Sequence, residues 1–259
     1  MTHAIAGAER AAALARAASI AIETVSGTEW PFRLAEALRD LDATWWESAE
    51  VCADVAWQAR AAGNSALVLL NPEHVTAPGT EVVIGRTYRH LYLSTLRYDF
   101  RCRTIESLAN QLPLSLLNED PYSWALYAFS RLGQSRSDGL AVLERVLAVV
   151  TDHPKTLHVL LHGVWLGALL PGRAPMLLAL VGLLPEGGVE DPIALFRMAS
   201  ARRSLGHYPE ALTAIDHALE VLPPGQLAVH ADLVRERALI TAAHDLAQLA
   251  LPGRKATSQ

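Results

Sequence analysis

Three histidines and an aspartate lie close together in the segment TDHPKTLHVLLH, residues 151–162. His158 and His162 are four residues apart, so a helix projects both from one face, with Asp152 and His153 just before it. Two imidazoles and a carboxylate can ligate zinc or iron when their donor atoms converge about 2.1 Å from the ion. The segment therefore predicts a metal site or acid–base groups of an enzyme. The alternative is a pair of hydrogen-bonded, partly buried histidines that needs no cofactor, because this spacing is common.

A second chemical feature is a series of arginines between residues 86 and 103. Guanidinium groups bind carboxylates in two-point geometry, so such a series is typical of a site for an acidic or C-terminal peptide. The alternative is that these arginines form solvent-exposed ion pairs with Glu81, Asp99 and Glu106. The series consists of Arg86, Arg89, Arg97, Arg101 and Arg103.

Motifs that announce the common catalytic classes do not occur in the sequence. There is no phosphate-binding loop of the form G-x-x-x-x-G-K-[ST], no G-x-G-x-x-G, no G-x-S-x-G elbow and no H-E-x-x-H. Their absence favours a binding role over an enzymatic one. An enzyme or small-molecule-binding protein of a biosynthetic pathway, built on a helical scaffold and using the histidine segment, is the alternative.

Composition restricts the remaining classes of protein. The chain has 259 residues, 51% of them hydrophobic, and a net charge of −5, so nothing global recruits nucleic acid or an anionic membrane. The most apolar stretch, residues 156–172, contains two histidines and barely reaches the shortest spanning length, which predicts a buried helix instead. Only Cys52 and Cys102 are present, and they predict a reduced, cytoplasmic protein without disulfides.

Apolar periodicity predicts helices along most of the chain and no strand from residue 80 onward, whereas ALVLL in segment 65–79 fits a strand or a helix end. The predicted helices cover residues 1–25, 30–40, 42–64 and 226–250, with pieces of about 12–17 residues between residue 80 and the last helix. Breaks are predicted at Arg97 and at the proline- or glycine-containing segments 113–120, 133–137, 153–154, 171–172, 187–191, 206 and 223–225. The ambiguous segment 65–79 separates an N-terminal helical segment, residues 1–75, from a repeat domain, residues 76–251, and residues 252–259 form a flexible tail.

A spacing echo suggests that the helices repeat. Tyr98, Ile105 and Leu112-Pro113 recur at identical spacing as Tyr208, Ile215 and Leu222-Pro223. Residues 192–225 also carry Leu195-x2-Met198-Ala199 and Ala211-x3-Ile215, and residues 121–154 carry Trp124-x2-Tyr127-Ala128. This pattern resembles the tetratricopeptide repeat, whose period is 34 residues. The resemblance implies antiparallel helical hairpins stacked as an α-solenoid; a nonrepetitive helical bundle is the alternative.

The resemblance also implies a binding surface. In tetratricopeptide proteins the first helix of each hairpin lines a concave groove that receives extended peptides. The resemblance therefore implies an adaptor or regulatory module that binds an acidic protein or peptide. The high apolar fraction adds the expectation of a homodimer. By helical phase, the implied groove residues here are Arg86, His90, Tyr122, Phe129, Phe196, Arg203, His230 and Arg237.

Overall fold

The computed structural model describes residues 30–41, 43–61, 70, 82–150, 152–184 and 190–250, together with residues 9, 10, 12–14 and 16. Within these ranges the chain is entirely helical apart from turns and contains no strand, which confirms the all-α prediction. None of the described helices is long and apolar enough to cross a bilayer. Both cysteines are free, as predicted. The tail at residues 252–259 lies outside the described residues, as does most of the helix predicted at residues 1–25.

The described part of the chain folds into two compact units, residues 1–163 and 164–259. The boundary predicted at residues 75 and 76 falls within the first unit, since the helices on its two sides pack against each other. The helices are α1 (Trp30–Asp40), α2 (Trp45–Ala61), α3 (Val82–Tyr98), α4 (Cys102–Ala109), α5 (Leu114–Asn118), α6 (Pro121–Gly133), α7 (Gly139–Val150), α8 (Pro154–Leu166), α9 (Arg173–Val181), α10 (Pro192–Ser204), α11 (Tyr208–Val221) and α12 (Leu227–Ala250).

The first unit is organised around α3 and α6. Helices α1 and α2 pack on α3, which packs on α6, and α6 also contacts α4, α5 and α7. Fully buried apolar side chains fill the space between these helices, because each helix has one apolar face to remove from water. These side chains include Leu34, Leu91, Ile105, Leu126 and Phe129.

The second unit contains the hairpin predicted most clearly by the sequence. Asp191 caps α10 by accepting hydrogen bonds from the backbone N–H groups of Ile193 and Ala194, both at 2.9 Å, and Pro192 occupies the first turn. Gly206 adopts a left-handed φ of 78° in the turn before α11. Helices α10 and α11 pack on each other, and α12 packs on both.

The spacing echo does not correspond to equivalent helix positions. Tyr208 is the first residue of α11, whereas Tyr98 is the last residue of α3. Helix α4 begins four residues after Tyr98, behind a turn in which Phe100 has a φ of 57°, and it is eight residues long against fourteen for α11. The apolar spacing is therefore shared, but the local hairpin geometry is not.

Candidate functional site

A buried polar network surrounds Asp120, the residue before α6. Its Oδ2 accepts hydrogen bonds from Arg89 Nη2 at 2.6 Å, Arg89 Nε at 3.0 Å and Ser123 Oγ at 2.6 Å. Its Oδ1 accepts from His90 Nε2 at 2.7 Å and from the Ser123 backbone N–H at 3.2 Å. The last bond makes Asp120 the N-cap of α6. One buried carboxylate thus ties the start of α6 to α3.

The hydrogen bonds continue from His90 to α2. Since the carboxylate of Asp120 only accepts, His90 Nε2 carries the proton and Nδ1 accepts from the Ser48 hydroxyl at 3.3 Å. Ser48 Oγ lies 3.1 Å from Thr87 Oγ1. The result is a directional chain through Thr87, Ser48, His90 and Asp120 that joins three helices.

Charge and burial set the protonation states in this network. Burial lowers the pKa of His90, although the neighbouring Asp120 acts in the opposite direction. Burial alone would raise the pKa of Asp120, but His90, Arg89 and Ser123 outweigh it and hold that pKa well below its usual range. At neutral pH the network therefore contains an ionised Asp120 and a neutral His90.

Ser48, His90 and Asp120 have the residue types and order of contacts of a serine-hydrolase triad. However, Ser48 and His90 are 0% exposed and Asp120 is 1% exposed, so no substrate carbonyl can reach the Ser48 hydroxyl in this structure. The neighbouring Cys52 thiol is equally closed, and burial raises its pKa to about 12. The geometry supports a role in positioning α2, α3 and α6.

An accessible cavity lies beside the same helix start. It has a volume of about 250 Å³ and lies between the end of α5, the first turn of α6 and the last turns of α7. The Arg145 guanidinium lies 5.2 Å from the ring centroid of Trp124. The cavity is lined by Asn118, Pro121, Trp124, Arg145, Val146, Ala148 and Val149.

The cavity combines an apolar wall with the positively charged side chain of Arg145. No described acidic residue forms an ion pair with Arg145, whose guanidinium lies over the Trp124 ring. Val149 is 63% exposed at the rim. This arrangement can bind a carboxylate that is attached to a small apolar group.

The groove residues predicted in the first unit lie mostly in the interior. His90, Tyr122 and Phe129 are 0% exposed, because α2 covers His90 and α8 packs on Phe129 at Gly163. Arg86 is half-buried and donates to the Ala43 carbonyl oxygen at 2.9 Å. On this face of α3, the N-terminal helical segment occupies the place that the predicted peptide would take.

In the second unit the predicted groove residues are more accessible. Phe196 is half-buried beside the Trp165 ring, with a centroid distance of 5.5 Å, and His230 is exposed. Arg203 donates to Glu236 Oε1 at 2.7 Å, and Arg237 donates to Asp216 Oδ1 at 2.6 Å. Both guanidinium groups thus already have carboxylate partners within the chain.

The predicted metal ligands point to different partners. The His153 ring packs on Trp45 and Trp46, with centroid distances of 4.6 and 5.5 Å. His162 Nδ1 accepts a hydrogen bond from Arg97 Nε at 3.2 Å. Asp152 is exposed. Among the described residues, no three His, Cys, Asp or Glu side chains, including those of Asp152, His153, His158 and His162, converge to hold a metal ion.

The predicted arginine series divides into buried and exposed members. Arg89 binds Asp120, and Arg97 donates to His162 and to the His158 carbonyl oxygen. Arg101 and Arg103 are exposed. Two of the carboxylates expected to pair with this series bind other arginines: Asp99 binds Arg60, and Glu106 binds Arg131 and Arg136. The third, Glu81, lies outside the described residues.

Sequence reasoning did not find the Asp120 network or the cavity beside Trp124. The partners Ser48, His90 and Asp120 are separated by 42 and 30 residues, so no local spacing reveals them. One signal was present: Asp120-Pro121 opens a helix as Asp191-Pro192 does, which marks an N-cap followed by proline. The chain matches no family model, and no curated protein or solved structure is significantly similar to it.

Proposed function

We propose that this protein is a helical adaptor that binds the C-terminal end of a partner polypeptide in the cavity beside Trp124. The observation that carries the proposal is the Arg145 guanidinium, which lies over the Trp124 ring and has no acidic partner among the described residues. A guanidinium fork donates two parallel hydrogen bonds to a carboxylate. The main-chain carboxylate of a terminal residue would bind there, with the Asn118 amide as a further donor.

Size and lining favour a peptide end over a larger metabolite. The cavity of about 250 Å³ is smaller than the roughly 300–1,000 Å³ typical of small-molecule pockets. Its apolar wall, formed by Trp124, Val146 and Val149, would take one aliphatic or aromatic side chain. Recognition of a terminal carboxylate next to an apolar residue is a recurrent mode of peptide binding.

The wider repeat interpretation adds to this proposal. An α-solenoid of tetratricopeptide type would present further contacts for the residues that precede the peptide terminus, and the partner would be a cytoplasmic protein. Within the second unit, Phe196 is half-buried and His230 is exposed. Arg203 and Arg237 would contribute only after exchanging their present partners, Glu236 and Asp216.

The test is a binding assay with fluorescein-labelled hexapeptides that end in Ala, Leu or Phe, each with a free or an amidated C terminus. We expect fluorescence anisotropy to show binding of the free Leu and Phe peptides, and at least about tenfold weaker binding of the amidated forms, since a hydrogen bond to a charged group contributes roughly 1.5–3 kcal/mol. Arg145→Gln should abolish the preference for the free terminus. The matched control is Arg103→Gln, which removes an exposed arginine of α4.

Two outcomes would overturn the proposal. Equal affinity for free and amidated peptides would exclude Arg145 as a carboxylate clamp. Failure of every peptide to bind the folded protein, with helicity checked by circular dichroism, would exclude this cavity as a site for apolar C termini.

A further inference from the structure

Helix α12 packs one face against the rest of the second unit and has exposed apolar side chains on the other. Val229, Leu233 and Ile240 are buried, together with Glu236, on the face toward the rest of the second unit. At 100° per residue, Leu227 and Leu249 lie on the opposite face of the 24-residue helix, and Leu246 lies at its edge. Leu227 is 81% exposed, Leu246 is 68% exposed and Leu249 is 82% exposed. Such a stripe on a helix of about 36 Å marks an interaction surface.

The exposed face follows the spacing of a helix-pairing seam. The residues of this seam, which are named below, are spaced alternately three and four apart, as are the a and d positions of two packed helices. Every residue of the seam is exposed. The seam is flanked by the apolar side chains of Leu227, Val234, Leu239 and Leu246. The seam consists of Ala228, Ala231, Arg235, Ala238, Ala242, Asp245 and Leu249.

The two charged residues of the seam identify the kind of partner. Arg235 and Asp245 are exposed and lie five residues before and after Ile240, and neither forms an ion pair among the described residues. In an antiparallel pair of identical helices centred on residue 240, residue i lies opposite residue 480 − i. Arg235 of each copy then faces Asp245 of the other, so that two Arg–Asp ion pairs form between the copies.

The same register matches the apolar positions of the seam. Ala238 lies opposite Ala242, and Ala231 lies opposite Leu249, so small residues meet near the centre and allow the helix axes to approach closely. A parallel in-register pair would instead place Arg235 against Arg235 and Asp245 against Asp245, which is repulsive. Closed two-fold symmetry is the commonest arrangement of identical chains.

From this geometry we infer that α12 is a dimerisation helix that binds α12 of a second copy of this chain, antiparallel and centred on residue 240. The face used is opposite to the one that packs on α10 and α11. The interaction is independent of the cavity beside Trp124, which lies in the first unit.

The test is the oligomeric state of the full chain, measured by sedimentation velocity over a dilution series. We expect the unmodified protein to dimerise and both Arg235→Asp and Asp245→Arg to raise the dimer dissociation constant at least about tenfold, since each change creates two like-charge contacts. Combining Arg235→Asp with Asp245→Arg should restore the dimer, because the charges are exchanged but still complementary. Glu144→Arg, an equal charge change on the exposed surface of α7, is the control and should leave dimerisation unchanged.

Each alternative outcome is distinct. A monomer at all concentrations, or capture of a different protein by a chain that does not dimerise, would overturn the proposal. Single reversals without effect would exclude this seam, and a double variant that stays dissociated would exclude the antiparallel register. If a charge reversal reduces helicity, Leu249→Glu replaces it, since that side chain is 82% exposed and its change should also separate the copies.

Discussion

His90 Nε2 donates to Asp120 Oδ1 over 2.7 Å between two side chains that are closed to solvent. This contact joins α3 to the first residue before α6, and Arg89 supplies the positive charge that balances the carboxylate on its other oxygen. Because Ser48 of α2 bonds the second nitrogen of His90, three helices depend on one buried ion pair and its hydrogen bonds. The stability of the first unit should therefore respond sharply to changes in this network.

Asp120→Asn should cause a large loss of stability. The substitution leaves the Arg89 guanidinium buried without a counter-charge, and removing one partner of a buried pair typically costs about 3–5 kcal/mol. Urea unfolding followed by circular dichroism measures the change. Asp138→Asn is the control, since Asp138 also binds an arginine but its side chain is 47% exposed, and it should cost at most about 1 kcal/mol. Similar losses for the two variants would show that burial of the Asp120 pair is not decisive.

His90 should make stability fall as the pH is lowered below neutral. Burial lowers the pKa of His90 in the folded state, whereas the unfolded chain takes up a proton near a pKa of about 6.5. The unfolded state then binds more protons, so the free energy of unfolding decreases below about pH 6.5, by up to about 1.4 kcal/mol per pH unit for this group. Asp120, Arg89 and Arg86 are the charged groups that act on His90.

Unfolding free energies between pH 7 and pH 5 measure this dependence. His90→Gln keeps a donor toward Asp120 but cannot take up a proton in this range. The slope of the free energy of unfolding against pH should therefore decrease by the contribution of one group. The exposed His230, changed to Gln, is the control and should retain the full slope. An unchanged slope in His90→Gln would show that another group causes the pH dependence.

The sequence predicted the individual helices better than the contacts between them. The breaks at Gly206, His153-Pro154 and Pro223 appear where predicted because proline and glycine act locally on the backbone. Helix α5 lies within a segment that was expected to be a break. It was not predicted, because a helix of five residues shows little apolar periodicity. Equally, the helical phase that assigned His90, Tyr122 and Phe129 to a groove could identify their shared face but not what covers it. The covering helices are α2 for His90 and α8 for Phe129, and the contacts of α2 with α3 bridge 35 to 42 residues of sequence.

Gly163→Ala should destabilise the first unit. An added Cβ at Gly163 would lie 2.9 Å from the Cα of Phe129, so backbone would have to move where α8 crosses α6. Overpacking of this kind costs about 1–3 kcal/mol, more than the helix propensity that alanine adds. Thermal unfolding measures the loss. Gly167→Ala is the comparison, because its Cβ would meet only the flexible side chains of Leu170 and Arg173, at 3.4 Å or more, and it should cost clearly less.

Arg173→Met should raise stability. Arg173, the first residue of α9, is 7% exposed, and its Nη1 atom is buried without a hydrogen-bond partner. Burial lowers the pKa of this guanidinium. Replacing an uncompensated buried charge with an apolar side chain of similar length should add about 1–3 kcal/mol to the free energy of unfolding, measured in urea. Arg197→Met is the matched control. Arg197 is similarly buried, at 6% exposed, but unlike the Arg173 Nη1 atom it has an interaction partner, so its replacement should lower the free energy of unfolding. A loss of stability in Arg173→Met would instead show that the Arg173 guanidinium has a favourable partner in solution.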